Sequence, residues 1–188
     1  INISSLTLTN YKTFVLKNSS FVSLPNLKSL SIDSLSNIIV QQNGLGNLQN
    51  LEELTLYFSM CELELKAGIF KGLDNLKRLR MISFNLIKRN VFTRKTFDGL
   101  KNIQQIVIRG FTNFTFSRIF VDLQKFEFLT LTQNHISEFS SGALLGLKKL
   151  KILDLSNNKI RRLGTSVFRA VCREDSTLTC ANLTHLSK

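Results

Sequence analysis

Residues 150–160 read LKILDLSNNKI. Leu153 and Leu155 stand two apart, the spacing that sets both side chains on one face of a β-strand, and Asn158 and Ile160 follow where that strand must end. So short a strand buries its apolar side chains only against neighbours of the same kind, so the pattern has to recur. It does. The frame of apolar residues at positions 1, 4 and 6 appears from Ile3, Leu27, Leu51, Leu76, Ile103, Phe126 and Leu150, at intervals of 24, 24, 25, 27, 23 and 24 residues. All 21 frame positions are apolar in a chain that is only 43% hydrophobic, so composition alone does not produce the pattern.

A second mark follows each frame, an apolar residue trailed three later by another: Phe21/Leu24, Leu45/Leu48, Phe70/Leu73, Phe97/Leu100, Phe120/Leu123, Leu144/Leu147 and Phe168/Val171. It places many of the phenylalanines at a fixed point in each repeat, where they read as core rather than as a platform for stacking bases.

With LKILDLSNNKI and FLTLTQNHI as its best-preserved copies of L-x-x-L-x-L-x-x-N-x-L, the chain resembles the leucine-rich repeat family over residues 3–171. The resemblance implies an α/β repeat fold, a curved horseshoe solenoid with a concave parallel β-sheet and mostly irregular convex loops. About seven repeats, starting at 3, 27, 51, 76, 103, 126 and 150, would fill residues 1–171, and 172–188 would be a C-terminal cap or a degraded eighth repeat. Cys172 and Cys180 could close a small disulfide loop in that cap. Cys61 falls in an inward apolar slot and reads as a buried free thiol. The consensus Asn at position 9 survives only as Asn134 and Asn158; Tyr11, Leu35, Ser59, Phe84 and Phe111 stand there in the other repeats. That Asn satisfies buried backbone groups, so irregular loops are expected in the first five repeats, with the 27-residue repeat bulging outward around residues 85–97.

The longest apolar runs are far below the ~20 residues of a membrane span. The chain opens on Ile1 without a signal-like segment, which suggests a processed or excerpted chain. There is no phosphate loop, no nucleophile elbow and no metal-ligand spacing among the 3 cysteines and 2 histidines. An enzyme, a cofactor and a metal are therefore not expected, and His135 reads as an exposed residue or a pH-sensing one. Sequons occur at Asn2, Asn18, Asn113 and Asn182, candidate glycosylation sites, although 17 asparagines among 33 Ser and Thr in 188 residues would give about 3 by chance.

The formal charge is +12, which favours anionic partners. If positions 2, 3, 5, 7 and 8 of each repeat face out of the concave sheet, that face carries six bases against five acids and is nearly neutral. The excess then lies on flanks and loops, notably Lys88, Arg89, Lys159, Arg161 and Arg162 on the lateral edge that follows the sheet. An anionic ligand is expected on that edge and on the local basic strip Lys77, Arg78, Arg80 and Arg109. Tyr57, Phe58 and Phe128 are the candidate exposed concave aromatics.

The phenylalanine-rich repeats with linkers such as GIFKGLDNLKRL and TFDGLKNI look like those of Toll-like receptor ectodomains. That resemblance implies an innate immune receptor fragment with a protein, microbial or nucleic-acid ligand and a possible receptor dimer. It also implies an extracellular or endosomal-lumenal position, with a membrane segment outside this chain. The competing reading is a secreted or cell-surface adhesion protein, or an antigen binder like the variable lymphocyte receptors, working through its concave face.

Overall fold

The computed structural model describes residues 2–171 apart from 11–12, 35–37, 42, 59–66, 88–91, 113–117, 140–141 and 165–166. The strands are β1 (Ser5–Asn10), β2 (Phe14–Leu16), β3 (Ser29–Ser34), β4 (Ile38–Val40), β5 (Glu53–Phe58), β6 (Arg78–Ile87), β7 (Gln105–Phe111), β8 (Phe128–Thr130), β9 (Glu138–Phe139), β10 (Ile152–Asp154) and β11 (Arg162–Leu163). Seven of them form one sheet in the order β1, β3, β5, β6, β7, β8, β10, each paired parallel to its neighbours. Registers follow the repeat: Leu6, Leu30, Leu54, Leu79, Ile106, Leu129 and Leu153 lie side by side as a single row of frame residues. The pairs β2–β4 and β9–β11 make two smaller parallel sheets beyond it.

Parallel strands need long connections, and here each connection is one solenoid turn. The carbonyl of each position 2 accepts two N–H groups from the next repeat, as Glu52 does from Lys77 (2.9 Å) and Arg78 (3.0 Å) and Glu127 does from Lys151 (2.8 Å) and Ile152 (3.1 Å). On the return path the second mark is a tight turn: the N–H of Leu73 bonds the Phe70 carbonyl (3.2 Å), and Leu100, Leu123 and Leu147 repeat the contact with Phe97, Phe120 and Leu144. This explains the spacing of three. Inside the turns runs a spine of rings, Phe70 on Phe97 (centroids 6.2 Å) and Phe97 on Phe120 (5.5 Å), continuous with the buried frame residues. Among the described residues the sole helical segment is a four-residue 3-10 turn, Val167–Ala170, so the convex side is built of turns.

Position 9 decides strand length. Where Asn is kept, β8 and β10 stop after three residues and the backbone turns through left-handed residues, Gln133 (φ 56°), His135 (φ 51°) and Asn157 (φ 56°). The buried Asn134 accepts from the Phe111 N–H (3.0 Å) and donates to the Ile108 carbonyl (2.8 Å). Asn158 accepts from the Asn134 and Ile136 N–H groups (3.0 and 3.1 Å) and donates to the Leu131 and Leu155 carbonyls (2.6 and 2.8 Å). Where Asn is absent nothing breaks the ladder, and β3, β5, β6 and β7 run on for six to ten residues. Position 8 is then a strand residue of even parity and points inward: Ser34, Phe58, Ser83 and Gly110 are all buried. The expectation that position 8 faces out fails for this reason.

The three surplus residues of the 27-residue repeat sit inside β6. Ile82 pairs with Arg109, 27 residues on, and Ile87 pairs with Phe111, 24 on, so the strand bulges between them. Gly110 makes room for it, with φ +82° and a position where a Cβ would lie 2.1 Å from the Ser83 carbonyl oxygen.

Candidate ligand-binding surface

On the concave face the charges of neighbouring strands meet across the sheet. Lys77 Nζ binds Glu52 Oε2 at 2.8 Å, Lys28 approaches the same carboxylate at 3.9 Å, Arg78 pairs with Glu53, and Lys151 Nζ binds Glu127 Oε2 at 2.9 Å. The hydrogen bond and charge of Lys77, with weaker help from Lys28 and Arg78 and against some desolvation, hold the Glu52 carboxyl below its ordinary range. The carboxylate therefore keeps its charge into acid, and the pair with it. Of the expected basic strip, Lys77 and Arg78 are half-buried and engaged, whereas Arg80 and Arg109 are exposed and make no ion pair among the described residues.

The lateral edge divides in the same way. Lys159, Arg161 and Arg162 are exposed, and Arg162 Nη1 reaches Glu138 at 3.5 Å across β11 and β9, leaving Lys159 and Arg161 without a carboxylate among the described residues. Lys88 and Arg89 lie outside the described residues, as do Asn113, Asn182, Cys61, Cys172 and Cys180. Asn2 and Asn18 are both exposed.

The concave aromatics need one correction. Phe58 is not exposed: it is fully buried, edge-on to Phe111 at 6.2 Å, because strand parity turns it into the core. Tyr57 and Phe128 are half-buried on the sheet surface, and Phe128 pairs in register with exposed Ile152. The exposed ring missed in the sequence is Phe84, 66% exposed on the β6 bulge and stacked parallel to Tyr57 (5.9 Å, 9°). Its position 9 in a repeat three residues too long was the available signal.

Phe84, Ser83, Arg109, Gly110, Gln133, His135 and Asn157 line a hollow of about 400 Å³ at the C-terminal ends of the strands, beside the lateral edge. No carboxylate among the described residues lines it. A larger convex hollow of about 850 Å³ differs in that it holds both acids and bases, with Lys101 binding Asp74 at 2.9 Å. No group of three or more His, Cys, Asp or Glu among the described residues is placed to hold a metal.

A second polar row was also missed. The residue before each frame is Asn2, Asn26, Asn50, Asn75 and Asn102 in the first five repeats. Asn50, Asn75 and Asn102 each donate to a carbonyl of the preceding repeat, those of Pro25, Gln49 and Asp74, at 2.9, 2.9 and 2.7 Å. The recurring Asn-Leu and Asn-Ile dipeptides were the signal for it.

A model of the leucine rich repeat family matches residues 115–170, the stretch that holds both consensus asparagines. The chain is built of leucine-rich repeats. Its repeats are similar to those of Toll-like receptors: Toll-like receptor 3 of Boselaphus tragocamelus is 31% identical over 172 residues, covering 85% of this chain and 19% of the relative. Toll-like receptor 3 of Bos taurus gives the same figures, 31% over 172 residues with 85% and 19% coverage. Among solved structures, that of a TLR13–ssRNA13 complex superposes with a TM-score of 0.76 at 25% identity, covering 89% of this chain and 23% of that one. This leucine-rich repeat chain thus spans about a fifth of the length of the curated relatives it matches.

Proposed function

We propose that the chain is a ligand-recognition stretch of a Toll-like-receptor-type ectodomain, extracellular or endosomal-lumenal, and that it takes an anionic ligand of the nucleic-acid class. The observation that carries this reading is that, on the sheet and its lateral edge, Arg80, Arg109, Lys159 and Arg161 face no carboxylate among the described residues. The other concave bases, Lys28, Lys77, Arg78 and Lys151, each face a cross-strand acid, so on the sheet the open positive sites among the described residues are Arg80 and Arg109. The solved neighbour is in complex with single-stranded RNA, which supports the same ligand class. Recognition suits a surface of arginine, aromatic and amide groups.

Titrating a labelled single-stranded RNA against the chain at rising salt tests the reading. Four phosphates neutralised should give log K falling against log salt with a slope of about −3, since single strands lose ~0.7 per contact. Replacing Arg80 and Arg109 by Gln should halve that slope. A flat response to salt sinks the proposal and favours a protein ligand.

A further inference from the structure

Several of the side chains that line the hollow under the β6 bulge have capacities unspent among the described residues. Phe84 offers one ring face to solvent while Tyr57 stacks on the other side, so the ring is held in place and open. Arg109, Gln133, His135 and Asn157 line the same space, and none has a side-chain partner among the described residues. Together they supply a fixed cation, an imidazole and two amides that can each donate and accept. Left-handed backbone at Gln133, His135 and Asn157 turns the chain at this rim, so the turn that ends the strand also forms the wall. At about 400 Å³ the space is at the small end of ligand sites, which run from ~300 Å³. A duplex cannot enter it. A single planar base with its phosphate can.

We infer that this hollow holds one unpaired nucleotide, its base flat on Phe84, its edge read by the amides of Gln133 and Asn157, and its phosphate on Arg109. The inference rests on the nucleic-acid reading above and narrows it: the cations of the sheet and edge attract any polyanion, and the hollow selects an unstacked base. Aromatic side chains stack every base, so the site would prefer single strands to duplexes without strict sequence choice. The bulge between Ile82 and Ile87 carries Phe84 on its exposed side.

The test uses the whole chain with three probes: a single-stranded RNA, the same sequence as a duplex, and adenosine monophosphate. Phe84→Leu keeps an apolar side chain and removes the stacking face; it should weaken single-strand binding on the order of tenfold. Duplex affinity and the salt slope should not change. Phe84→Trp should restore the single strand, and Arg109→Gln should weaken both RNAs and lower the single-strand slope by about 0.7. Adenosine monophosphate should shift the NMR signals of Phe84, Arg109, Gln133, His135 and Asn157 together. If Phe84→Leu leaves single strand and duplex equally affected, or Phe84→Trp fails to restore binding, the nucleotide subsite is overturned while salt-dependent binding stands. If neither RNA binds with salt dependence and the mononucleotide shifts nothing, both readings fall.

Discussion

Asn134 is fully buried and joins two repeats through its side chain alone, holding the Phe111 N–H and the Ile108 carbonyl. Neither group has water as an alternative. Replacing Asn134 by Ala leaves a donor and an acceptor unsatisfied in the core, each costing ~1–3 kcal/mol. For a chain of this size the sum corresponds to a midpoint lower by roughly 4–24 °C, at ~2–4 °C per kcal/mol. Asn158 makes a similar set of bonds from a half-buried position, where water can replace part of what is lost, so Asn158→Ala should cost less. Thermal melts followed by circular dichroism decide the matter, and a midpoint within about 2 °C of wild type for Asn134→Ala would contradict the buried-ladder account. The same residue scale accounts for Phe58. Its burial is not a matter of preference for the core but of parity, since a strand that continues past position 7 must turn position 8 inward.

At the scale of elements, the convex turns are held by rings rather than by helices. Phe97 is 2% exposed and stacks against Phe70, Phe92 and Phe120 at once, tying three successive repeats. Phe97→Ala should cost ~3–5 kcal/mol. Repeats touch only their neighbours, so the damage should be local: hydrogen exchange should rise in β5, β6 and β7 and change least in β1. A uniform rise along the sheet would contradict nearest-neighbour stabilisation. The elements themselves are largely legible in the sequence, because frame and second mark each serve one physical task, the inward face of a strand and the apolar pair of a tight turn. Strand length is not, since without the Asn no side chain interrupts the ladder and the strand simply runs on. Nor is the bulge. A surplus of three residues is visible in the intervals, but whether it enters the strand or the loop depends on Gly110 giving way beneath Ser83, a contact between repeats. In sequence Phe84 therefore reads as a lost consensus Asn and not as an exposed ring, and the hollow stays hidden although Arg109 stands out as a candidate.

At the scale of the whole molecule, a net charge of +12 says little until its distribution is known. The aligned repeats place position 2 of one strand beside position 2 of the next, so Lys28, Glu52 and Lys77 form an alternating row, with Glu53 and Arg78 paired beside it. Those carboxylates keep the middle of the concave face from attracting polyanions, and the low carboxyl pKa of Glu52 keeps that row paired in mildly acid solution as well as at neutrality. Replacing Glu52 and Glu53 together by Gln removes two negative charges while preserving side-chain length, and it frees Lys77 and Arg78 next to Arg80. If a nucleic acid runs across the sheet, two further phosphates become available to it. Affinity for single-stranded RNA should then rise, and the salt slope should steepen by about 1.4, at ~0.7 per added contact. A ligand confined to the lateral edge would not meet the new charges, and its slope would stay as in the wild type. The double substitution thus separates the two surfaces by a gain of binding, a result that loss of folding cannot imitate.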